Sequence, residues 1–449
     1  MNRRHLLAGA AALTAAAALP AAFAAPARAQ DRPVVTFWHA MSGPLGEEVK
    51  KVCDAFNAAQ SAVTVAPVFK GTYGETMTAA IAAFRAGQAP HLVQVFEVGT
   101  GSMLGAGPAV RQVWQLAQET GIAFDPAAYM PAVRSYYSLP DGSMAAMPFN
   151  SSTPVMWLNA DLFERAGLDP AAPPATWQEV AAAADALKTK ASAKVAMTTA
   201  WPTWVMMENF GALHDLPYAT KANGFEGLDA ELVFNAPPYV AQIQRLLDMA
   251  KAGTFTYGGR GAAGDQIFPV GETGLSFNSS AVRAAFSRDA KFRFAAALLP
   301  YDPSVRASPN NSIIGGASLW TMTAPRRTPA EYKAVADFLK FISQPDSDAR
   351  WSKATGYVPV TLAGAGLSLA QGYYARTPGA DIAIRQLNRG AVTENSKGLR
   401  LGRLPEIRTI IEEEFEAALQ GRQGAQAALD SAVARGNKVL REFEKSMRG

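Results

Sequence analysis

Between Val34 and Phe96 three short apolar runs alternate with two amphipathic stretches, and that alternation narrows the fold more than any other feature. Val34–Trp38, Ala62–Phe69 and Leu92–Phe96 read as strands, whereas residues Leu45–Gln60 and Glu75–Ala86 carry helical periodicity. Strands separated by helices of this length predict an α/β lobe with a mainly parallel sheet. In such sheets ligands bind beyond the carboxyl ends of the strands. His39, Tyr73 and Glu97 fall at those ends.

The alternation resumes downstream, with strands predicted at Pro154–Leu158 and Val195–Trp201 and helices at Trp177–Ala191 and Val240–Ala252. Thr176 is placed to cap the first of these helices. Helices are also predicted over Glu331–Ile342, Leu404–Gln420 and Ala425–Met447. No low-complexity linker divides the chain, so two lobes would have to be joined by crossing strands. The tetrapeptide Phe-Asn-Ser-Ser occurs twice, at Phe149–Ser152 and Phe277–Ser280, each time after an apolar strand-like run. A strand ending in small hydroxyl residues presents O–H and N–H groups together, which suits an anionic oxygen cluster. The same residues are ordinary turn vocabulary, so the repeat alone leaves both readings open.

The first 29 residues read as a leader: Arg3 and Arg4, an alanine-dominated run from Leu6 to Phe23, and an Ala27-Arg28-Ala29 cleavage site. Export by the general route or the twin-arginine route fits this segment. The mature chain of about 420 residues has room for two domains. The net charge of +4 includes Arg3, Arg4 and Arg28, so the mature chain is close to neutral, which argues against nucleic-acid binding. Cys53 is the only cysteine; it can form no internal disulfide and its helical spacing with Val49 and Phe56 places it in a core. No cysteine closes the leader to take a lipid anchor, and the expected location is a Gram-negative periplasm.

Catalytic signatures are missing. There is no G-x-S-x-G elbow, no H-E-x-x-H and no phosphate-binding Walker loop, and His39, His91 and His214 are not spaced as metal ligands. Neither a cofactor nor a metal is expected, and the chain does not read as an enzyme. Binding chemistry is better represented. Trp201 and Trp204, three residues apart, can project from one helical turn, and suit either a core or a platform for a polyol or a quaternary ammonium group. Paired glycines interrupt an apolar strand predicted over Asn310–Trp320, marking a bend or a close approach. Arg400, flanked by leucines, reads as partly buried, and a buried arginine favours a bidentate anion.

Several longer segments carry a family resemblance. Phe37-Trp-His-Ala-Met41, Lys70-Gly-Thr-Tyr73, Glu97-Val-Gly-Thr100, Pro148–Pro154, Ile313–Trp320, Thr355-Gly-Tyr357 and Lys397–Gly402 resemble the periplasmic sn-glycerol-3-phosphate-binding proteins of ABC importers, within extracellular solute-binding protein family 1. The likeness runs from about Val34 to Lys445. It implies a type II periplasmic binding protein fold, two α/β lobes joined by hinge strands with the ligand in the cleft. The expected lobes are residues 30–148 plus about 313–354, and 149–312 plus about 355–449. Carried over by motif, Tyr73, Glu97, Ser152, Ser279, Gly316, Tyr357 and Arg400 would hold the ligand, with Trp201 and Trp204 beside its glycerol. Around Tyr257–Arg260 and Phe277-Asn278 the wording departs from the family. The implied ligand is glycerol 3-phosphate or a diester such as glycerophosphocholine, and the implied partners are permease subunits with a cytoplasmic ATPase, served by a monomer. An oligosaccharide-binding protein of the same fold and a secreted glycerophosphodiester hydrolase are the alternatives.

Overall fold

The computed structural model of the protein describes residues 32–448. The expected leader and its cleavage site lie outside the described residues. Eleven strands form two sheets among the described residues. The first sheet contains β1 (Val34–His39), β2 (Thr64–Phe69), β3 (Leu92–Phe96), β4 (Val110–Arg111), β5 (Met147–Ser152) and, from far along the chain, β11 (Gly315–Met322). The second contains β6 (Pro154–Asn159), β7 (Val195–Thr199), β8 (Phe255–Tyr257), β9 (Thr273–Ser279) and β10 (Phe294–Ala297).

The first sheet is mixed rather than mainly parallel. β1 runs parallel to β2 and β3, as the strand–helix alternation predicts. β11 then enters from the other lobe and pairs antiparallel with β3, β4 and β5. A strand returning from a second lobe carries no local signal of its direction, so the sequence pattern could not supply this pairing. In the second sheet the order is β10-β6-β9-β7-β8, with β7 parallel to β8 and β9.

Local chemistry sets the helix ends. Thr72 and Thr176 each close a reciprocal capping box, with Glu75 and Glu179, which satisfies two of the otherwise unpaired N–H groups at each start. The helices spanning Gly43–Ala59 and Pro329–Ile342 pack Phe56 and Phe338 edge-on in the first lobe, where Cys53 is fully buried. Trp157, Phe277 and Phe286 fill the second lobe at close to zero exposure. Each such side chain contributes roughly 1.5–3 kcal/mol of burial.

The chain passes between sheets with almost no slack. Thr153 alone separates β5 from β6, and residues 312–314 lead back into β11. The Thr153 hydroxyl donates to Ile313 O at 3.0 Å and lies 2.6 Å from Ser312 Oγ, so the two crossings are tied together. Asn310–Ile314 is not strand, contrary to the expectation for Asn310–Trp320; Asn209 Oδ1 accepts from Ile313 N–H instead of a neighbouring strand. The molecule is a two-lobed α/β protein of the type II periplasmic binding protein class, with hinge strands crossing between the lobes.

Candidate ligand-binding cleft

The first Phe-Asn-Ser-Ser segment ends β5 and the second ends β9 at Ser279, with Ser280 just beyond it, and the structure brings them side by side. Pro154 stands opposite Ser279 in the β6–β9 register, and Ser280 N–H donates to Thr153 O at 2.9 Å. Ser152 is 3% exposed and makes no side-chain hydrogen bond among the described residues. Ser279 Oγ accepts from Ala281 N–H at 3.1 Å, which leaves its proton available to an incoming oxygen.

Gly315 and Gly316 open β11 against these strand ends, opposite Ser152 and Ser151. Gly316 has φ +102°, and a Cβ there would overlap the Asn150 carbonyl oxygen, so only glycine serves at this position. The Asn150 amide donates to Tyr73 Oη at 3.0 Å, and the Tyr357 phenol lies against both. Tyr73 stacks flat on Phe96, with centroids 5.5 Å apart. Burial holds both phenols above the usual tyrosine range, so both remain neutral donors.

The tryptophans do not share one helical face. Trp204 opens a π-helical turn, Trp204–Glu208, and is 4% exposed; its indole donates to Ile314 O at 3.3 Å and covers Gly315, where a Cβ would strike the ring. Trp201 lies outside the helix with φ +51° and remains half-buried. The single turn expected to carry both is broken by that left-handed residue.

Glu97, at the end of β3, meets Arg408 from the helix Leu404–Leu419. Arg408 Nη2 donates to Glu97 Oε1 at 2.9 Å, while Nε and Nη2 each donate to Glu208 at 2.7 Å. All three side chains are nearly inaccessible to solvent. Burial pushes the Glu97 carboxyl up, and Arg408 opposes that shift only in part because Glu208 takes the paired edge of the guanidinium. Burial also works against the Arg408 charge, but the two carboxylates outweigh it and hold its pKa above the ordinary value.

Arg400 stands apart from this group. Its Nη2 donates to the backbone oxygens of Tyr136 and Ser138, at 2.9 and 2.7 Å, and its guanidinium lies 4.0 Å from the Phe225 ring centroid. It is 9% exposed, and its Nε has no hydrogen-bond partner among the described residues. Tyr136 lies close enough to Arg400 and to the Glu97–Arg408 pair to interact electrostatically with each. Thus Tyr73, Ser152, Ser279, Gly316 and Tyr357 converge on adjoining strand ends, Glu97 joins the Arg408 pair, and Arg400 backs the wall.

A family model for bacterial extracellular solute-binding proteins matches residues 51–366. The sn-glycerol-3-phosphate-binding periplasmic protein UgpB of Pectobacterium atrosepticum is 44% identical over 421 residues, covering 94% of each chain. The chain belongs to the bacterial extracellular solute-binding proteins. Among solved structures, UgpB from Mycobacterium tuberculosis with glycerophosphocholine superimposes with a TM-score of 0.76 at 19% identity, covering 91% of this chain and 98% of that one. A cyclic α-maltosyl-1,6-maltose-binding protein from Arthrobacter globiformis gives 0.72 at 23% identity, covering 92% and 100%. These two likenesses establish the solute-binding fold.

In this solute-binding protein, sequence reasoning missed Asn150, Glu208 and Arg408. A signal existed for Arg408. Leu404, Ile407, Ile411 and Phe415 form the buried stripe of their helix, and Arg408 occupies a position on that stripe. A charge at a core position of an amphipathic helix indicates a buried partner. Glu208 likewise interrupts the apolar run Trp204–Phe210.

Proposed function

We propose that this protein captures sn-glycerol 3-phosphate, and glycerophosphodiesters such as glycerophosphocholine, and delivers them to the permease subunits of an ABC importer. The observation that carries the reading is the whole-length identity to relatives named for that ligand, joined to a cleft whose chemistry suits it. The two bodies built on the two sheets act as the hinged units, with the crossings at Thr153 and residues 312–314 rather than at 148/149, which would divide β5. The protein works as an exported periplasmic monomer, with its leader removed near Ala29.

The roles follow from donor and acceptor chemistry. Ser152, Ser279, Tyr357, Tyr73 and the Gly316 N–H offer neutral donors to a phosphate, and Arg408, held at the end of β3 by Glu97, offers a cation. Glu97 accepts from glycerol hydroxyls once the ligand takes its place at the guanidinium. Trp204 and Trp201 flank the glycerol carbons. Arg400 supports this arrangement from behind Tyr136, supplying positive potential rather than a direct contact. Charge-assisted hydrogen bonds contribute roughly 1.5–3 kcal/mol each. After ordering and closure costs, a few of them are consistent with micromolar affinity, about −8 kcal/mol. The role is binding without turnover.

Thermal unfolding tests this directly. Glycerol 3-phosphate at 100 times its dissociation constant should add about 2.7 kcal/mol of stability, whereas maltose should add none. A shift with maltose and none with glycerol 3-phosphate would select the oligosaccharide alternative. Release of choline from glycerophosphocholine by the purified protein would select the hydrolase.

A further inference from the structure

Beside the proposed phosphate-binding strand ends, the turn Gly261–Gln266 gathers, next to the Trp201 indole, two carboxylates that the ligand contacts above leave unused. The Trp201 backbone N–H donates to Gly261 O at 2.7 Å, and the edge of its ring lies 3.9 Å from where a Gly261 Cβ would stand. Glu412 approaches the same turn from the helix Leu404–Leu419, accepting from Gly261 N–H at 3.3 Å. Glu412 is 8% exposed, its Oε2 accepts no hydrogen bond, and no cation lies within 4 Å of it among the described residues. Arg408 and Arg260 are its nearest positive neighbours, and each is already engaged, with Glu208 and Glu416 respectively.

The other end of the turn carries Asp265. Asn278, the residue before Ser279, donates to Asp265 Oδ1 at 3.0 Å, and among the described residues no lysine or arginine pairs with this carboxylate. Asp265 also lies close enough to Tyr357 to act on it electrostatically. Burial raises its pKa to about 6, the response of a carboxylate without a compensating charge.

A polyol needs donors and acceptors in balance. This face offers two acceptor-only groups and a π surface. Such a combination matches a quaternary ammonium group, which has no N–H to donate and is held by diffuse negative potential and an aromatic face. Nine-tenths burial of an unpaired carboxylate is costly unless a cation arrives to compensate it.

Resting on the glycerol phosphate reading above, we propose that Trp201, Asp265 and Glu412 form a subsite for the quaternary ammonium head of a glycerophosphodiester. The phosphate sits at the strand ends and the cationic head extends along the Gly261–Gln266 turn. The subsite sets preference for cationic diesters over the bare monoester and over diesters with a neutral head.

Calorimetric titration of the exported protein with glycerophosphocholine, glycerophosphoglycerol and glycerol 3-phosphate tests it. The unaltered protein should bind glycerophosphocholine more tightly than glycerophosphoglycerol. Glu412→Gln and, independently, the more accessible Asp265→Asn should each weaken glycerophosphocholine about fivefold and leave glycerol 3-phosphate unchanged or tighter. Equal fold-changes for both ligands in both variants, or equal affinity of the two diesters for the unaltered protein, would overturn the subsite while leaving the glycerol phosphate reading intact. Failure of the unaltered protein to bind any of the three would overturn that reading and the subsite with it.

Discussion

Arg400 and Arg408 lie eight residues apart and are equally buried, yet their surroundings give them opposite electrostatic character. Arg408 is clasped by Glu208 and Glu97. Arg400 meets only backbone oxygens and an aromatic ring. Burial accordingly lowers the Arg400 pKa to about 10, while the carboxylates more than offset burial at Arg408. Burial alone therefore does not identify a ligand arginine. Arg408 is held in place by carboxylates, one of them at the end of β3, whereas Arg400 ties its segment to the backbone of Tyr136 and Ser138. On the function proposed above, the difference separates a contact residue from a support residue.

The largest effect should come from Arg408→Ala. It leaves two buried carboxylates without their cation, and thermal or urea unfolding should show a loss of about 3–5 kcal/mol. An unchanged midpoint would erase the distinction between the two arginines. Next in size is acid sensitivity, which must come from other groups because guanidinium side chains stay charged. Burial lowers the His39 pKa to about 4, so the unfolded chain takes up a proton there that the folded protein refuses. Stability from this residue is present above about pH 6.5 and falls as the pH drops toward 4, by of order 2 kcal/mol. His39→Gln should flatten that slope in a pH series of urea melts; an unaltered slope would assign acid sensitivity elsewhere.

Arg400→Ala should cost less again. Two carbonyls lose a charged donor, but a desolvated charge is also removed, so the unfolding midpoint should move little. Glycerol 3-phosphate affinity should fall about tenfold, 1.4 kcal/mol, by calorimetry. The smallest effect is expected from Glu97→Gln on the ligand-free protein. Glu97 holds one edge of Arg408 and burial already favours its neutral form, so stability should change by less than about 1 kcal/mol. A loss as large as that from Arg408→Ala would show that Glu97, rather than Glu208, anchors the arginine.

The two arginines also show where sequence is informative. Strand and helix periods placed Val34–Phe96, Pro154–Leu158 and Trp177–Ala191 because local patterning and capping dictate them. Serines at strand ends were legible for the same reason. Arg400 drew attention because its neighbours in sequence are apolar, but neighbours in sequence do not reveal which groups its side chain meets. Arg408 is defined by Glu97 and Glu208, hundreds of residues away along the chain, and only its place on a helical core stripe hinted at that. The antiparallel entry of β11 and the left-handed backbone of Trp201 were likewise settled by tertiary packing.

The most direct test of the account is a calorimetric titration of glycerol 3-phosphate into Arg408→Lys and Arg400→Lys proteins, each first shown to unfold cooperatively. Lysine keeps the charge but loses the planar fork. The account predicts that Arg408→Lys weakens binding at least about 100-fold, the scale of a lost charge-assisted contact, while Arg400→Lys stays within a fewfold of the unaltered protein. Strong loss in Arg400→Lys with near-normal binding in Arg408→Lys would contradict it.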